Sequence, residues 1–326
     1  MPNVPGEIPP TAMASRKTGA ATTLLKAAIA IAMVVAALVY IGSSLSDAPF
    51  DIRSAISRVT WRELGIATLA LVPMYVAQAG YHVLALEALS PQNHAHPARL
   101  PAMAIYLQAQ IVRYLPGKIW GVVYQAHAMS GSHPPSRVLG ANLVQTGATL
   151  LMATGICASV ILAHRLGAIW LLGLPATIAA MDLLHRSPLP SRLMDAAKRV
   201  PRLGRVLDRV EWSPLGRRGM FTALLSIEWA FFALGLTILF GALLPVEEAL
   251  VAMAWYAGAS ILSLAAIVVP AGLAVREALF IGGENLMASA AGELAVLAVA
   301  ARIVFLGAEI GGAALLTSIQ WMLRRD

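Results

Sequence analysis

The sequence predicts an all-α, polytopic helical membrane protein with six full spans and two broken or re-entrant helical hairpins that face opposite sides. Three observations predict it. The chain is 58% hydrophobic and only 13% charged, against about 25% charged residues in a soluble domain. Six apolar runs, at 24–45, 64–87, 138–163, 166–185, 219–242 and 292–320, reach the roughly 20 residues a helix needs to cross the hydrocarbon layer. Two further apolar stretches, 101–129 and 249–288, are interrupted near their middles by Pro116-Gly117 and by Pro270-Ala271-Gly272.

A chain with a mean hydropathy of +0.72 has too little polar surface to cover a water-facing globule, so its solvent is lipid. The net charge of +7 would raise the question of nucleic acid in a soluble protein. Here the basic residues collect in short loops beside apolar runs, the pattern of a cytoplasmic membrane face, and nucleic acid is not expected as a partner. The single cysteine, Cys157, lies in an apolar run and reads as a small buried hydrophobe rather than a disulfide or metal ligand. Residues 1–23 are rich in Pro, Ala, Thr and Gly, end near Arg16 and Lys17, and read as a flexible cytoplasmic tail. The run at 24–45 is longer than the roughly 7–15 residues of a signal-peptide core and is expected to be a retained first span. Residues 24–326 are thus expected to form one transmembrane domain.

Orientation follows from the distribution of Lys and Arg. The linker 186–218 carries Arg186, Arg192, Lys198, Arg199, Arg202, Arg205, Arg209, Arg217 and Arg218 against Asp195, Asp208 and Glu211, and is expected on the cytoplasmic side. Arg99, Arg137 and Arg324-Arg325 are expected on the same side, and Glu247-Glu248 outside. One path satisfies all of these: six crossings, both termini cytoplasmic, and each broken stretch entering and leaving on one side. Within the linker, Leu193, Ala197, Val200, Leu203, Leu207 and Val210 recur at helical spacing and predict an interfacial helix interrupted at Pro201.

Broken segments in corresponding positions of two oppositely oriented halves point to a midplane binding site; alternatively Pro and Gly simply kink packed helices. In Arg113-Tyr114-Leu115-Pro116-Gly117-Lys118-Ile119-Trp120, a helix restarting after Gly117 exposes unpaired amides that attract anions. Lys118, in its first turn, opposes the helix dipole. Together with Arg113 it reads either as a phosphate site or as a pair of cations snorkelling to the interface. In Val269-Pro270-Ala271-Gly272-Leu273-Ala274-Val275-Arg276-Glu277, Arg276 and Glu277 adjoin without stacking on one face, so each is expected to find a partner elsewhere. The candidate head-group site is therefore Arg113, Lys118, Arg276 and Glu277. Trp120, Gln145, Arg302 and Glu309 are candidate cavity or pathway residues. Arg302 and Glu309 lie seven apart, near one helix face. Glu228 is read as lying near the start of its span, within reach of the interface. The seven histidines read as scattered through loops and span ends, with no metal site. Gly282-Gly283 and Gly311-Gly312 are expected to mark close helix packing.

The Arg113 to Trp120 segment and the run Pro270 to Ala278 resemble the two signature segments of a flippase-like family that includes the membrane domain of lysylphosphatidylglycerol synthases. The second resembles that family's Pro-Gly-Gly-Leu-Gly-Val-Arg-Glu-Ala, with Ala271 and Ala274 in place of glycines. Where the family carries a Glu-Arg pair and an Asp, this chain has Gln145, Thr146 and Thr149. The resemblance implies a bacterial plasma (inner) membrane protein that moves lipids, anionic or polyprenyl-linked, between leaflets. It does not imply aminoacyl transfer, because these 326 residues include no soluble synthase segment. No catalytic, nucleotide or cofactor motif is present, so no cofactor is expected. The alternatives are an accessory subunit of an envelope lipid or glycan synthesis complex, partnered by another membrane protein or by its own copies, and a membrane-embedded enzyme acting on a lipid phosphate.

Overall fold

The computed structural model describes residues 35, 39, 43, 52–89, 98–113, 120–200, 204, 207, 218–264, 274–287 and 291–323. Among the described residues there are only helices and their connections. They are α1 (Ile52–Arg58), α2 (Trp61–Ala88), α3 (Arg99–Val112), α4 (Trp120–Ala128), α5 (Pro135–Leu166), α6 (Gly173–Arg186), α7 (Leu189–Lys198), α8 (Arg218–Phe240), α9 (Val246–Leu264), α10 (Val275–Ile281) and α11 (Ala291–Met322). Single 3-10 turns at Ala168–Leu172 and Glu284–Leu286 complete them. Five helices are long and apolar enough to cross a membrane: α2, α5, α6 with the preceding turn, α8 and α11. They coincide with five of the six predicted spans, which is consistent with an integral membrane protein; the run 24–45 lies almost wholly outside the described residues.

Local sequence explains where the helices begin and end. A capping box opens α2: Thr60 Oγ1 accepts from Arg62 N at 3.2 Å, and Thr60 N donates to Glu63 Oε2 at 3.0 Å, which satisfies amides the first turn leaves orphaned. Proline opens α5 at its first position, where a missing amide hydrogen is harmless. Between α5 and α6 the chain turns through Gly167 at φ 112°, a conformation that a side chain resists.

The helices sort by burial. In α2, 61% of the apolar window is buried inside the protein, against 11% in α6, so α2 is central and α6 presents its apolar surface outward. The close packing around α2 depends on small residues. A Cβ on Gly235 of α8 would lie 2.7 Å from Leu71 Cδ2, and one on Gly312 of α11 would lie 3.2 Å from Leu107 Cδ1. A Cβ on Gly283 would collide with Trp255, whereas one on Gly311 would make only an ordinary contact with Val72, so one glycine of each predicted pair, Gly312 and Gly283, sits at a close contact.

In both broken stretches the two flanking helices touch one another. Tyr124 Oη of α4 donates to Gln108 Oε1 of α3 at 2.6 Å, and a Cβ on Gly121 would lie 2.9 Å from Ala109 O, so α4 returns antiparallel along α3. Trp255 Nε1 of α9 donates to Leu279 O of α10 at 3.0 Å, so α10 packs against α9. The interruptions themselves, Pro116-Gly117 with Lys118 and Pro270-Ala271-Gly272, lie outside the described residues. At a rise of about 1.5 Å per residue, α3 is roughly 21 Å long and α4 roughly 14 Å, both short of the ~30 Å layer, whereas α9 at roughly 28 Å nearly matches it.

Polar contacts tie the helix ends into two groups. At one end Arg58 donates to Leu243 O at 3.0 Å and lies 3.6 Å from Glu293, and Arg165 donates to Asn285 O at 2.7 Å. At the other, Arg99 pairs with Glu87 at 2.6 Å, Arg186 with Asp182 at 2.7 Å, and Thr222 donates to Asp182 at 3.2 Å. In the linker, α7 stops before Pro201, as expected. Its buried residue is Met194 while Leu193 is exposed, and Leu207 is buried in a further helical segment. Leu203 and Val210 lie outside the described residues.

Candidate functional site

Helical periodicity gathers polar residues of separate helices onto faces that meet one another. Tyr75, Gln78 and His82 share one face of α2; Tyr106, Gln110 and Arg113 share one face of α3; Arg302, Phe305 and Glu309 share one face of α11. These faces meet Asn142, Gln145, Thr146 and Thr149 of α5, Glu228 of α8 and Arg276 of α10 around one cavity of about 460 Å³. Tyr75, Glu228 and Glu309 all lie near the midpoints of their helices.

Three guanidinium groups, those of Arg113, Arg276 and Arg302, line the cavity. Arg113 donates to Glu309 Oε1 at 2.5 Å and to Gln110 Oε1 at 2.7 Å, and Tyr75 Oη donates to the same Glu309 oxygen at 2.6 Å. Glu309 is fully buried behind the cavity wall, whereas the Arg113 side chain is 43% exposed. The long guanidinium therefore bridges a dry carboxylate and the open cavity. Arg302 grips Glu277 with two parallel hydrogen bonds, 2.7 and 3.1 Å, the bidentate geometry that a guanidinium favours. Arg276 reaches the same Glu277 oxygen at 3.2 Å and lies 4.8 Å from the centre of the Tyr256 ring, a cation–π contact. One carboxylate and one aromatic ring thus hold two guanidinium groups at the wall.

The expectation that Arg276 and Glu277 would each look elsewhere is corrected in part. They do touch one another, because Glu277 turns toward Arg302 and draws Arg276 with it. Arg302 and Glu309 each pair with another segment, not with one another. Gln145 accepts from His82 Nδ1 at 3.0 Å and donates to Gln78 O at 3.1 Å. Trp120 opens α4 with an exposed side chain and is not among the lining residues. Lys118 lies outside the described residues.

Two residues differ from their sequence reading. Glu228 is not an interfacial group. It sits mid-helix, is 3% exposed, and accepts from Gln78 Nε2 at 2.9 Å. His82 is neither in a loop nor at a span end; it is fully buried and stacks on Tyr106 at 4.5 Å. A faint signal existed for both. Each is a polar residue inside a long apolar run, where such groups usually face a protein interior or a cavity.

The second signature segment holds one further feature. Ala274 precedes α10 at φ 64°, a region costly to a residue with a Cβ by about 1–2 kcal/mol, and stands where the resembled pattern has glycine. Ala274→Gly is expected to leave the aim of Arg276 unchanged and to raise the melting temperature in detergent slightly, because relief of the clash outweighs the added chain entropy. Ala274→Val should lower it. A fall on Ala274→Gly would count against this backbone geometry.

No family model matches the sequence, and no curated protein matches it.

Proposed function

We propose that the chain translocates a phosphate-bearing lipid, anionic or polyprenyl-linked, between the leaflets of a bacterial plasma membrane by passing its head group through the central cavity. The observation that carries this reading is the convergence of three guanidinium groups, from the C-terminal cap of α3 and from α10 and α11, on one cavity. Cations in that position are expensive in an apolar surrounding and mark substrate or ion pathways. Planar guanidinium forks suit phosphate oxygens. The cavity's size falls in the range of small-molecule sites, roughly 300–1,000 Å³, enough for a head group while the chains stay in lipid. The neutral wall of Gln110, Gln125, Asn142, Gln145 and Thr146 offers hydrogen bonds to esters, hydroxyls or sugars.

In this reading α3–α4 and α9–α10 are the two re-entrant hairpins, opening to the cytoplasm and to the outside respectively. Support comes from the short α3 and α4 and from the two groups of helix ends, which match the two sides assigned by the charge pattern. Lys118, which lies outside the described residues, is proposed from the sequence as a further cation acting on the same head group. The basic linker touches anionic lipid on the cytoplasmic side.

Vesicles containing the purified protein and a trace of head-group-labelled phosphatidylglycerol test the proposal. An impermeant quencher should reach label from both leaflets in protein-containing vesicles and from the outer leaflet alone in protein-free ones. Identical quenching in the two would overturn translocation and leave the accessory-subunit reading. Topology is checked separately by single cysteines in a Cys157→Ala background. Impermeant reagent outside intact cells should label Glu248→Cys and not Ser213→Cys; the reverse pattern would invert the membrane assignment.

A further inference from the structure

We infer that Glu228 is a proton-exchange site in the cavity wall, and that its proton travels with the anionic head group; the second half of this inference rests on the translocation reading. Three carboxylates stand around the cavity, and they are held differently. Glu277 and Glu309 are both gripped by arginines. Glu228 has no ion pair among the described residues: Oε1 accepts from the neutral Gln78 amide, and Oε2 is buried with no hydrogen-bond partner. Glu228 also lines the same cavity as Arg113, Arg276 and Arg302. A carboxylate without a cation in apolar surroundings is costly, while one that opens into a cavity has access to protons through water. The exchange makes and breaks only the Oε2–H bond, taking the proton from cavity water on one side of the membrane and returning it to water on the other.

The coupling to anion transport follows from charge. Protonation of Glu228 removes one negative charge from a cavity that must hold a phosphate, so the protonated form binds the head group better. By linkage the bound head group favours the proton by the same factor. Proton and anion therefore enter together and leave together, a charge-compensated movement in a low-dielectric space.

A polar ladder leads from this site toward the Arg99 end of the bundle. Gln78 O accepts from Gln145 Nε2, and Gln145 Oε1 accepts from His82 Nδ1. His82 Nε2 is then left as a buried acceptor without a partner. His82 follows Gln78 by one helical turn of α2.

The other ionisable groups around Glu228 respond differently to pH. Tyr75 and Tyr81 from α2, Tyr106 from α3 and Tyr256 from α9 ordinarily titrate near 10, and the arginines stay charged. On α6, His185 accepts from Tyr81 Oη at 2.9 Å, and Asp182 pairs with Arg186. Because His82 and His185 belong to a residue type that titrates near neutrality, the test reads Glu228 itself.

A hydrophobic carbodiimide reacts with protonated carboxyl groups in apolar surroundings, and the adduct is located by mass spectrometry. In the intact protein in lipid nanodiscs, Glu228 should be modified more at pH 6 than at pH 8, with Glu277 and Glu309 spared. An unmodified Glu228, or equal modification at the two pH values, would overturn the site. In vesicles, an imposed proton gradient should speed wild-type translocation of labelled phosphatidylglycerol severalfold, and Glu228→Gln should remove the response. If wild type translocates at one rate with and without the gradient, or Glu228→Gln keeps the response, coupling is overturned and translocation stands. Should wild type move no lipid at all, translocation fails, and the carbodiimide result still decides whether Glu228 exchanges protons.

Discussion

Arg276→Ala is expected to slow translocation of labelled phosphatidylglycerol by about ten- to a hundredfold, since a hydrogen bond to a charged group contributes roughly 1.5–3 kcal/mol and each 1.4 kcal/mol is tenfold. Protein abundance and membrane insertion should change little. Arg276 presents its guanidinium to the cavity with Glu277 on one side and the Tyr256 ring beneath, an arrangement that fixes the fork before the ligand arrives. Arg276→Lys should recover less than its retained charge suggests, because an ammonium reproduces neither the planar fork nor the stacking. Lys118→Ala belongs in the same experiment, with a loss of similar size expected if the two hairpins act on one phosphate. Arg205→Ala in the basic linker is the control and should stay close to wild type. Wild-type rates for both Arg276→Ala and Lys118→Ala would reduce the two interruptions to helix kinks.

The Arg113–Glu309 pair should respond asymmetrically, because its members sit in different solvents. Arg113→Met leaves a fully buried carboxylate with Tyr75 as its remaining described donor, a loss of about 3–5 kcal/mol for breaking a buried ion pair from one side. Glu309→Gln leaves a guanidinium whose side chain is 43% exposed and can be solvated in the cavity, so its cost should be only about 1–2 kcal/mol. Replacing both, as Arg113→Met with Glu309→Leu, should recover much of the loss, since no charge is then stranded in the apolar interior. Thermal unfolding in detergent measures all three. Equal losses for the two single variants, or a double variant less stable than Arg113→Met, would contradict the burial argument.

The two predictions differ in what the sequence could foretell. Arg276 was legible as a functional candidate, since a cation after a Pro-Ala-Gly interruption in an apolar stretch stands out on the chain itself. The pairing of Arg113 was not. Its partner lies 196 residues away, and nothing local distinguishes a snorkelling arginine from one pinned by a buried glutamate. Glu228 was misplaced for the same reason: distance from a span's start was weighed, but burial depends on α2 packing along α8, which brings Gln78 from 150 residues away.

The sequence by itself determined five long apolar helices, which are consistent with lipid as solvent. Lipid as solvent demands runs of apolar residues with internally satisfied backbones, and that demand is written in composition and run length. Tertiary structure decided which polar residues face one another. It set Glu277 between two arginines, Gln145 beside His82, Trp120 away from the cavity, and Ala274 in a backbone conformation that its side chain opposes. Helical periodicity assigns each residue to a face, but which faces meet depends on close contacts such as Gly235 against Leu71 and Gly312 against Leu107. Those contacts join residues far apart in the chain, where neither local propensity nor spacing carries information.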